Sequence, residues 1–190
     1  MSKAICVYCS SSDAVDTVFV HAAELLGAAI ADRGWSLVYG GAKIGLMGRL
    51  ARSVRKNGGR VVGVIPESIS DHGLAFLEAD ELMMVDGLRE RKRIMEELSS
   101  DFVALPGGFG THEELLEILT LKQLHMHNKA VVILNIDNFF DPLLELFDHL
   151  YARSFAKYEH KNSYSICDNI SSTIDYLEGY VPVESADKWF

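Results

Sequence analysis

Residues 106–114 read PGGFGTHEE and lie between a short apolar run, Asp101–Leu105, and a helical pattern over Thr111–Leu124. An earlier stretch, YGGAKIGLMG at 39–48, follows the apolar run Trp35–Tyr39 in the same way and opens another helix. Glycine lets the backbone approach a ligand closely, and the amides at a helix N-terminus bind anions. Two such turns predict a site for a phosphate-bearing small molecule at one edge of a parallel sheet.

Apolar runs alternate with helical patterns along the whole chain. The predicted strands are Lys3–Tyr8, Trp35–Tyr39, Arg60–Ile65, Leu82–Val85, Asp101–Leu105 and Ala130–Ile136. The predicted helices cover about 15–33, 46–56, 89–98, 111–124, 141–151 and 170–177. This alternation predicts an α/β fold, a Rossmann-like, doubly wound and mostly parallel sheet with helices on both faces. The stretch Glu67–Asp80 shows no clear period.

Composition narrows the class of protein. A chain of 190 residues, 48% hydrophobic, is expected to form one domain over residues 1–190. Its 18 basic and 27 acidic residues leave a net charge of −9, which disfavours a nucleic-acid partner. Three cysteines are too few for a disulfide framework, and no signal peptide or membrane-spanning run is visible. We therefore expect a cytoplasmic protein with no membrane segment.

Standard motifs do not account for the glycine-rich turns. Residues 40–46 have the glycine spacing of a phosphate-binding loop but carry leucine where that motif needs lysine. Residues 108–110 lack the third glycine of the dinucleotide-binding fingerprint. His125 and His127 have no third ligand at metal spacing, so we predict no metal site.

A charged cluster, Glu90–Arg93, opens the helix after the fourth predicted strand. Basic residues there oppose the helix dipole, and a nearby anion would offset that cost. A solvated helix face is the alternative interpretation. Glu113 and Glu114 lie in the first turn of the next helix, where acidic residues are also favoured for structural reasons alone.

These motifs together resemble those of the LONELY GUY (LOG) family, the cytokinin riboside 5′-monophosphate phosphoribohydrolases. PGGFGTHEE is similar to the family's PGGxGTxxE, and YGGAKIGLMG to its YGGGxxGLMG. VYCSSS at 7–12 is similar to VFCGSS, and Arg91-Lys92 to the RK of its MHxRK segment. Residues 141–149, DPLLELFDH, resemble the family's DPLL…LDH region, so the similarity covers nearly the whole chain.

The resemblance implies hydrolysis of the N-glycosidic bond of an adenosine 5′-monophosphate with an N6-modified base, giving the free base and ribose 5-phosphate. It places the catalytic pair at Arg91 and Glu114. The implied substrate-binding residues are Gly107, Gly108, Gly110 and Thr111 around the phosphate, Gly40, Gly41 and Gly45 on the opposite wall, and Lys92, Glu113 and, as a weaker candidate, Thr120. No metal or organic cofactor is required, and the resemblance implies a homodimer with its sites near the interface.

Three departures from the family's motifs leave the identity of the base undetermined. Leu88-Arg89 replaces the family's Met-His, and Ser10 and Ala42 each replace a glycine of the turns. A general purine-nucleotide nucleosidase and a non-catalytic nucleotide carrier or sensor are therefore the alternatives. The role of Glu114 also stays open, since a carboxylate there could act as nucleophile, as base or as electrostatic stabiliser. Lysine decarboxylation, an old label in this family, would need a positioned Schiff-base lysine and is not expected.

Overall fold

The computed structural model describes residues 2–182, which form one seven-stranded sheet with helices around it. The strands are β1 (Ala4–Tyr8), β2 (Ser36–Tyr39), β3 (Arg60–Pro66), β4 (Glu81–Val85), β5 (Asp101–Ala104), β6 (Val131–Leu134) and β7 (Ser165–Cys167). The α-helices are α1 (Thr17–Asp32), α2 (Gly45–Lys56), α3 (Glu67–Ser70), α4 (Leu88–Leu98), α5 (Phe109–Gln123), α6 (Asp141–Ala152) and α7 (Ile170–Gly179).

All strand pairs are parallel, and the order across the sheet is β4-β3-β2-β1-β5-β6-β7. The chain therefore moves outward in one direction from β1 to β4 and in the other from β5 to β7. The loops after β1 and β5 diverge at this reversal and leave a crevice at the carboxyl edge. The predicted Rossmann-like, doubly wound fold is confirmed.

Each face of the sheet packs against its own layer of helices. Helices α1, α2 and α7 cover one face, and α4, α5 and α6 cover the other. Ile5 and Val7 of β1 point into the first core, whereas Cys6 and Tyr8 point into the second. Burial on both faces explains why the strands are continuously apolar. Within residues 2–182, no helix is both long and apolar enough to cross a bilayer.

The structure differs from the predicted elements in three places. β7 was not predicted, because a strand of three residues at the edge of the sheet, beside β6, carries little apolar signal. The strand predicted over Ala130–Ile136 ends at Leu134, and residues 136–138 form a 3-10 turn instead. Helix α5 buries two charged residues, Glu114 and Lys122, on its inner face, so that face is not simply apolar.

The stretch Glu67–Asp80 is fixed by backbone contacts rather than by a repeating apolar pattern. It begins with the short helix α3 and then pairs with the glycine-rich turn at residues 39–48 through a β-bridge between Ala42 and Ala75. The Lys43 amide donates to the Leu74 carbonyl at 2.8 Å, and the Phe76 amide donates to the Gly41 carbonyl at 2.9 Å. Contacts of this kind leave no period in the sequence.

Lys122 lies near the other end of α5, away from the carboxyl edge, and only 2% of its surface is exposed. Its Nζ donates to the Lys129 carbonyl at 2.8 Å and to the Tyr180 hydroxyl at 2.9 Å. Burial lowers the pKa of Lys122 to about 8, although the charge of Asp101 acts in the opposite direction. The protonated amine is therefore less favourable in the folded chain than in the unfolded chain.

This burial predicts a pH-dependent difference in stability between the wild type and Lys122→Met. Between about pH 8 and pH 10.5 the unfolded wild type binds more protons at Lys122 than the folded wild type. The free energy of unfolding of the wild type should therefore rise relative to the variant, by about 2–3 kcal/mol in total. Urea unfolding of both proteins from pH 7 to pH 10.5 measures this, and a constant difference would contradict it.

Candidate functional site

Three loops meet at the carboxyl edge of the sheet, those that follow β1, β2 and β5. The Ser10 amide donates to the Pro106 carbonyl at 3.2 Å, and the Met47 amide donates to the Ser10 carbonyl at 3.3 Å. The Gly45 amide donates to Oδ1 of Asp13 at 3.1 Å. The two glycine-rich turns are thus both bonded to the loop after β1, as their position after parallel strands predicts.

A cavity of about 490 Å³ opens between these loops. Its lining from the β1 and β5 loops consists of Cys9, Ser10, Ser11, Ser12, Gly108, Phe109, Gly110 and Thr111. Its lining from the β2 side and from the α3 segment consists of Gly40, Ala42, Ile44, Met47, Ile69 and Leu74. Arg91 and Glu114 complete the wall. One side of the cavity is therefore mostly polar or backbone, and the other carries four large apolar side chains.

Arg91 and Glu114 form an ion pair in this wall. Arg91 lies in the first turns of α4 and Glu114 in those of α5, and Nη1 of Arg91 is 3.1 Å from Oε1 of Glu114. Their side chains are only 13% and 9% exposed. Nε of Arg91 also donates to the Val64 carbonyl in β3 at 3.1 Å. The guanidinium is thus fixed between the end of the sheet and the carboxylate.

Burial raises the pKa of the Glu114 carboxyl above its ordinary value, and the Arg91 guanidinium counteracts part of that rise. A carboxylate in this condition is a stronger base than one in water and faces little competing solvent. Such a group suits proton transfer or stabilisation of a developing positive charge. Of the charged cluster that opens α4, Arg91 faces the cavity, whereas Arg93 is solvated and pairs with Glu90 and Glu97.

The N-terminus of α5 forms the second functional element. Gly108 precedes the helix and provides no side-chain cap, so the first amides of α5 are available to a ligand. Gly108, Phe109, Gly110 and Thr111 all line the cavity. Backbone amides, the helix dipole and the Thr111 hydroxyl together favour an anionic group there. The arrangement fits a phosphate at α5 and a reacting bond near Glu114.

Other residues predicted to bind substrate lie outside this cavity. Lys92 joins α4 to α5 through ion pairs with Glu113 and, at 2.8 Å, with Glu117. Burial disfavours the charge on Lys92, but its hydrogen bonds to Glu113 and Glu117 outweigh that effect and raise its pKa. Neither Lys92 nor Glu113 lines the cavity in the single chain. Their contact with substrate stays a prediction.

Thr120 lines a different cavity, of about 210 Å³, against α6, and its hydroxyl donates to the Leu116 carbonyl at 2.7 Å. Gly107 lines a third cavity of about 160 Å³ that shares Ser10 and Gly108 with the main one. Gly41 does not line the main cavity, and a Cβ on Gly41 would lie 2.9 Å from the Cβ of Ile65 in β3. The ligand contacts predicted for these residues also stay predictions.

The apolar part of the lining was not predicted. Ile44 and Met47 belong to the YGGAKIGLMG turn, so their place after β2 was a usable signal. Ile69 and Leu74 come from the stretch without a period, and nothing local in the sequence marks them. Within residues 2–182, no group of three or more His, Cys, Asp or Glu side chains is arranged to hold a metal ion.

Gly45 fixes the glycine-rich turn at residues 39–48 against the loop after β1. Its φ is +57°, a conformation that side chains rarely adopt. A Cβ at this position would lie 2.4 Å from the Ser11 carbonyl carbon and 2.7 Å from the Ser10 oxygen. Because both neighbours are backbone atoms, neither can rotate out of the way. Gly45 therefore sets the spacing between the two loops without lining the cavity itself.

Comparison with known proteins places these features in a family. A family described as "Possible lysine decarboxylase" matches residues 47–177. A cytokinin riboside 5′-monophosphate phosphoribohydrolase of Oryza sativa subsp. japonica, LOG, is 39% identical over 95% of this chain and 74% of its own length. One from Rhodococcoides fascians is 40% identical over 90% of this chain and 87% of its own length. A probable cytokinin riboside 5′-monophosphate phosphoribohydrolase from the same rice, LOGL1, is 45% identical over 80% of this chain and 69% of its own length.

Solved structures support the fold. The Moco carrier protein from Chlamydomonas reinhardtii superimposes with a TM-score of 0.73 over 94% of this chain and 96% of its own, at 22% identity. The molybdenum cofactor binding protein of Rippkaea orientalis gives the same TM-score at 21% identity. At this level of identity the likeness concerns the architecture alone.

The position of Gly45 predicts a large loss of stability in Gly45→Ala. The backbone conformation and the two collisions together should cost about 3–4 kcal/mol of unfolding free energy. Gly58→Ala is the control, because Gly58 has φ +76° but no atom within 4 Å of its Cβ position. It should lose only about 1 kcal/mol. Chemical denaturation compares them, and equal losses would show that the loops are not fixed by Gly45.

Proposed function

Because the chain belongs to the LONELY GUY (LOG) family of phosphoribohydrolases, we propose that it hydrolyses the N-glycosidic bond of a nucleoside 5′-monophosphate. The products are the free base and ribose 5-phosphate. The observation that carries this proposal is the buried pair of Arg91 and Glu114 in the wall of a cavity with an anion-binding helix N-terminus. A protein that only binds a nucleotide needs the helix terminus but not that pair.

The phosphate is assigned to the N-terminus of α5. The backbone amides of residues 109–111 and the Thr111 hydroxyl supply hydrogen-bond donors for the phosphate, so no lysine or arginine side chain is needed there. Glu114 is in the same helix, about one turn after the residues assigned to the phosphate, which corresponds to about 5 Å along the helix axis. A ribose joined to that phosphate through its C5′ atom reaches the carboxylate with its ring.

The cleavage breaks the bond between C1′ of the ribose and a nitrogen of the base. Positive charge develops on the ribose ring, and a water oxygen forms the new bond to C1′ while the base takes up a proton. The Glu114 carboxylate stabilises that charge, activates the water or attacks C1′ itself. The charge of Arg91 opposes protonation of the carboxylate, and its guanidinium holds the carboxylate in place through a directed hydrogen bond.

The base is assigned to the other side of the cavity. Ile44, Met47, Ile69 and Leu74 line that side, and an unmodified adenine offers its polar amino group where these side chains lie. An adenine with an apolar N6 substituent would bury that substituent against these four side chains, and each Å² of apolar surface buried would add about 25 cal/mol to the binding free energy. We therefore propose an N6-modified adenosine 5′-monophosphate as the preferred substrate, and a general purine-nucleotide nucleosidase is the alternative.

We propose two further properties of this protein. The first is a homodimer in which α4 and α5 lie near the interface. Exposed Leu116 on α5 and exposed Leu124, directly after the end of α5, support an apolar contact there. The second is a cytoplasmic location, which the free cysteines Cys6, Cys9 and Cys167 support because they form no disulfide.

Removing either member of the ion pair should abolish most of the activity. Glu114→Gln and Arg91→Ala are each expected to slow base release from isopentenyladenosine 5′-monophosphate by at least about 100-fold. Glu117→Gln is the control, because Glu117 lies one turn further along α5 and pairs with Lys92 rather than with Arg91. It should keep close to the wild-type rate. Chromatography of the released base measures all three, and turnover that persists in Glu114→Gln would remove the catalytic assignment.

A polar side chain on the apolar side should change which base is preferred. Leu74→Asn is expected to lower kcat/KM for isopentenyladenosine 5′-monophosphate by about 10- to 100-fold and to leave AMP nearly unchanged. Leu77→Asn is the control, because Leu77 is in the same segment but 81% exposed. Equal wild-type rates on the two substrates would instead favour the general nucleosidase.

A further inference from the structure

Gly40 is a glycine for a reason that its backbone does not explain. It follows β2 directly and lines the cavity. Its φ lies outside the left-handed region, unlike that of Gly41 at +74° and Gly45 at +57°. An alanine is therefore compatible with the backbone at this position. The constraint on residue 40 must come from the space beside it.

That space is occupied by the side chain of Arg91. A Cβ on residue 40 would lie 1.7 Å from Nη2 of Arg91 and 2.9 Å from its Cζ. The next atom, Sδ of Met47, would be 3.0 Å away. The collision is thus almost entirely with the guanidinium, and a methyl group at residue 40 cannot be present together with Arg91 in its observed position.

The guanidinium has contacts on its other two nitrogens. Nε donates to the Val64 carbonyl and Nη1 to Glu114, each at 3.1 Å, which leaves Nη2 against Gly40. Both bonds are charge-assisted and largely shielded from water. A displaced Arg91 would lose them and leave the buried carboxylate of Glu114 without its cation. Gly40, Val64 and Glu114 therefore define one position for the guanidinium.

We propose that Gly40 is a positioning residue for the reaction, because its missing side chain provides the space in which the Arg91 guanidinium lies beside Glu114. The effect of Gly40 on catalysis rests on the proposed function, whereas its effect on the position of the Arg91 guanidinium does not. It differs from the role that the sequence predicted for Gly40, a wall that contacts the ligand. In that role a methyl group would weaken substrate binding whether or not Arg91 is present.

A double-mutant cycle in kcat separates these two roles. Gly40→Ala is expected to lower kcat by about 100-fold, since a shift of about 1 Å in a reacting group has that effect. In the Arg91→Ala background the same change should cost no more than about twofold, because no guanidinium remains to be displaced. A wild-type kcat in Gly40→Ala, or losses that multiply in the double variant, would overturn the proposal.

The control is Gly87→Ala, the same change at the residue before α4. Gly87 has an extended φ of −166°, and no atom lies within 4 Å of its Cβ position. It has no role in the catalytic or binding site described above. Gly87→Ala should keep a kcat close to that of the wild type. A 100-fold loss there as well would show that α4 responds to any methyl group nearby and would overturn the specific role of Gly40.

Thermal unfolding tests the geometry without relying on catalysis. Gly40→Ala should lower the unfolding midpoint in the wild-type background and leave it unchanged in the Arg91→Ala background. If the purified chain cleaves no nucleotide but shows this coupling, the proposed function fails and the role of Gly40 stands. If the chain is active and the coupling is absent, the role of Gly40 is overturned.

Folding failure is also informative in this design. If Gly40→Ala does not fold but Gly40→Ala/Arg91→Ala does, the collision with Arg91 is demonstrated directly. If neither folds while Arg91→Ala alone folds, the methyl group collides with something other than the guanidinium. That outcome would overturn the proposal.

Discussion

The site depends on one ion pair that is almost removed from water. Burial raises the pKa of the Glu114 carboxyl because it disfavours the charged form, and a cation beside the carboxylate counteracts that rise. Arg91 supplies that cation and is itself fixed by the Val64 carbonyl. The charge, the direction and the basicity of the Glu114 carboxylate therefore all follow from a contact between the beginnings of two helices, α4 and α5.

That contact is possible because of where the sheet reverses its strand order. The loops after β1 and β5 separate at the reversal, so the N-terminus of α5 opens into a crevice. The loop after β2 forms the opposite wall and is bonded to the loop after β1 through Ser10 and Asp13. The N-terminus of α5, a shielded carboxylate and an apolar surface thereby line one cavity of about 490 Å³.

The predictability of each element follows from how its residues are stabilised. Strands buried on both faces, such as β6, show as continuous apolar runs and were found. β7 was missed because its three residues at the sheet edge carry little apolar signal. The structure of Glu67–Asp80 was not predicted because backbone hydrogen bonds to Gly41 and Lys43, rather than a repeating apolar pattern, fix this stretch. The hydrogen bond that Arg91 donates to the Val64 carbonyl joins residues 27 apart in sequence, so no local pattern contains it.

The sequence by itself determined the alternation of strands and helices, the two glycine-rich turns at strand ends, and the family to which these motifs point. These are local properties, since each is written in a few neighbouring residues. The resemblance implied that Arg91 and Glu114 act together, but only the tertiary structure showed that these two side chains are in contact and that Lys92 pairs with Glu113 instead. Packing of α4 against α5 settles which side chain is buried, and that packing depends on residues distant in the chain.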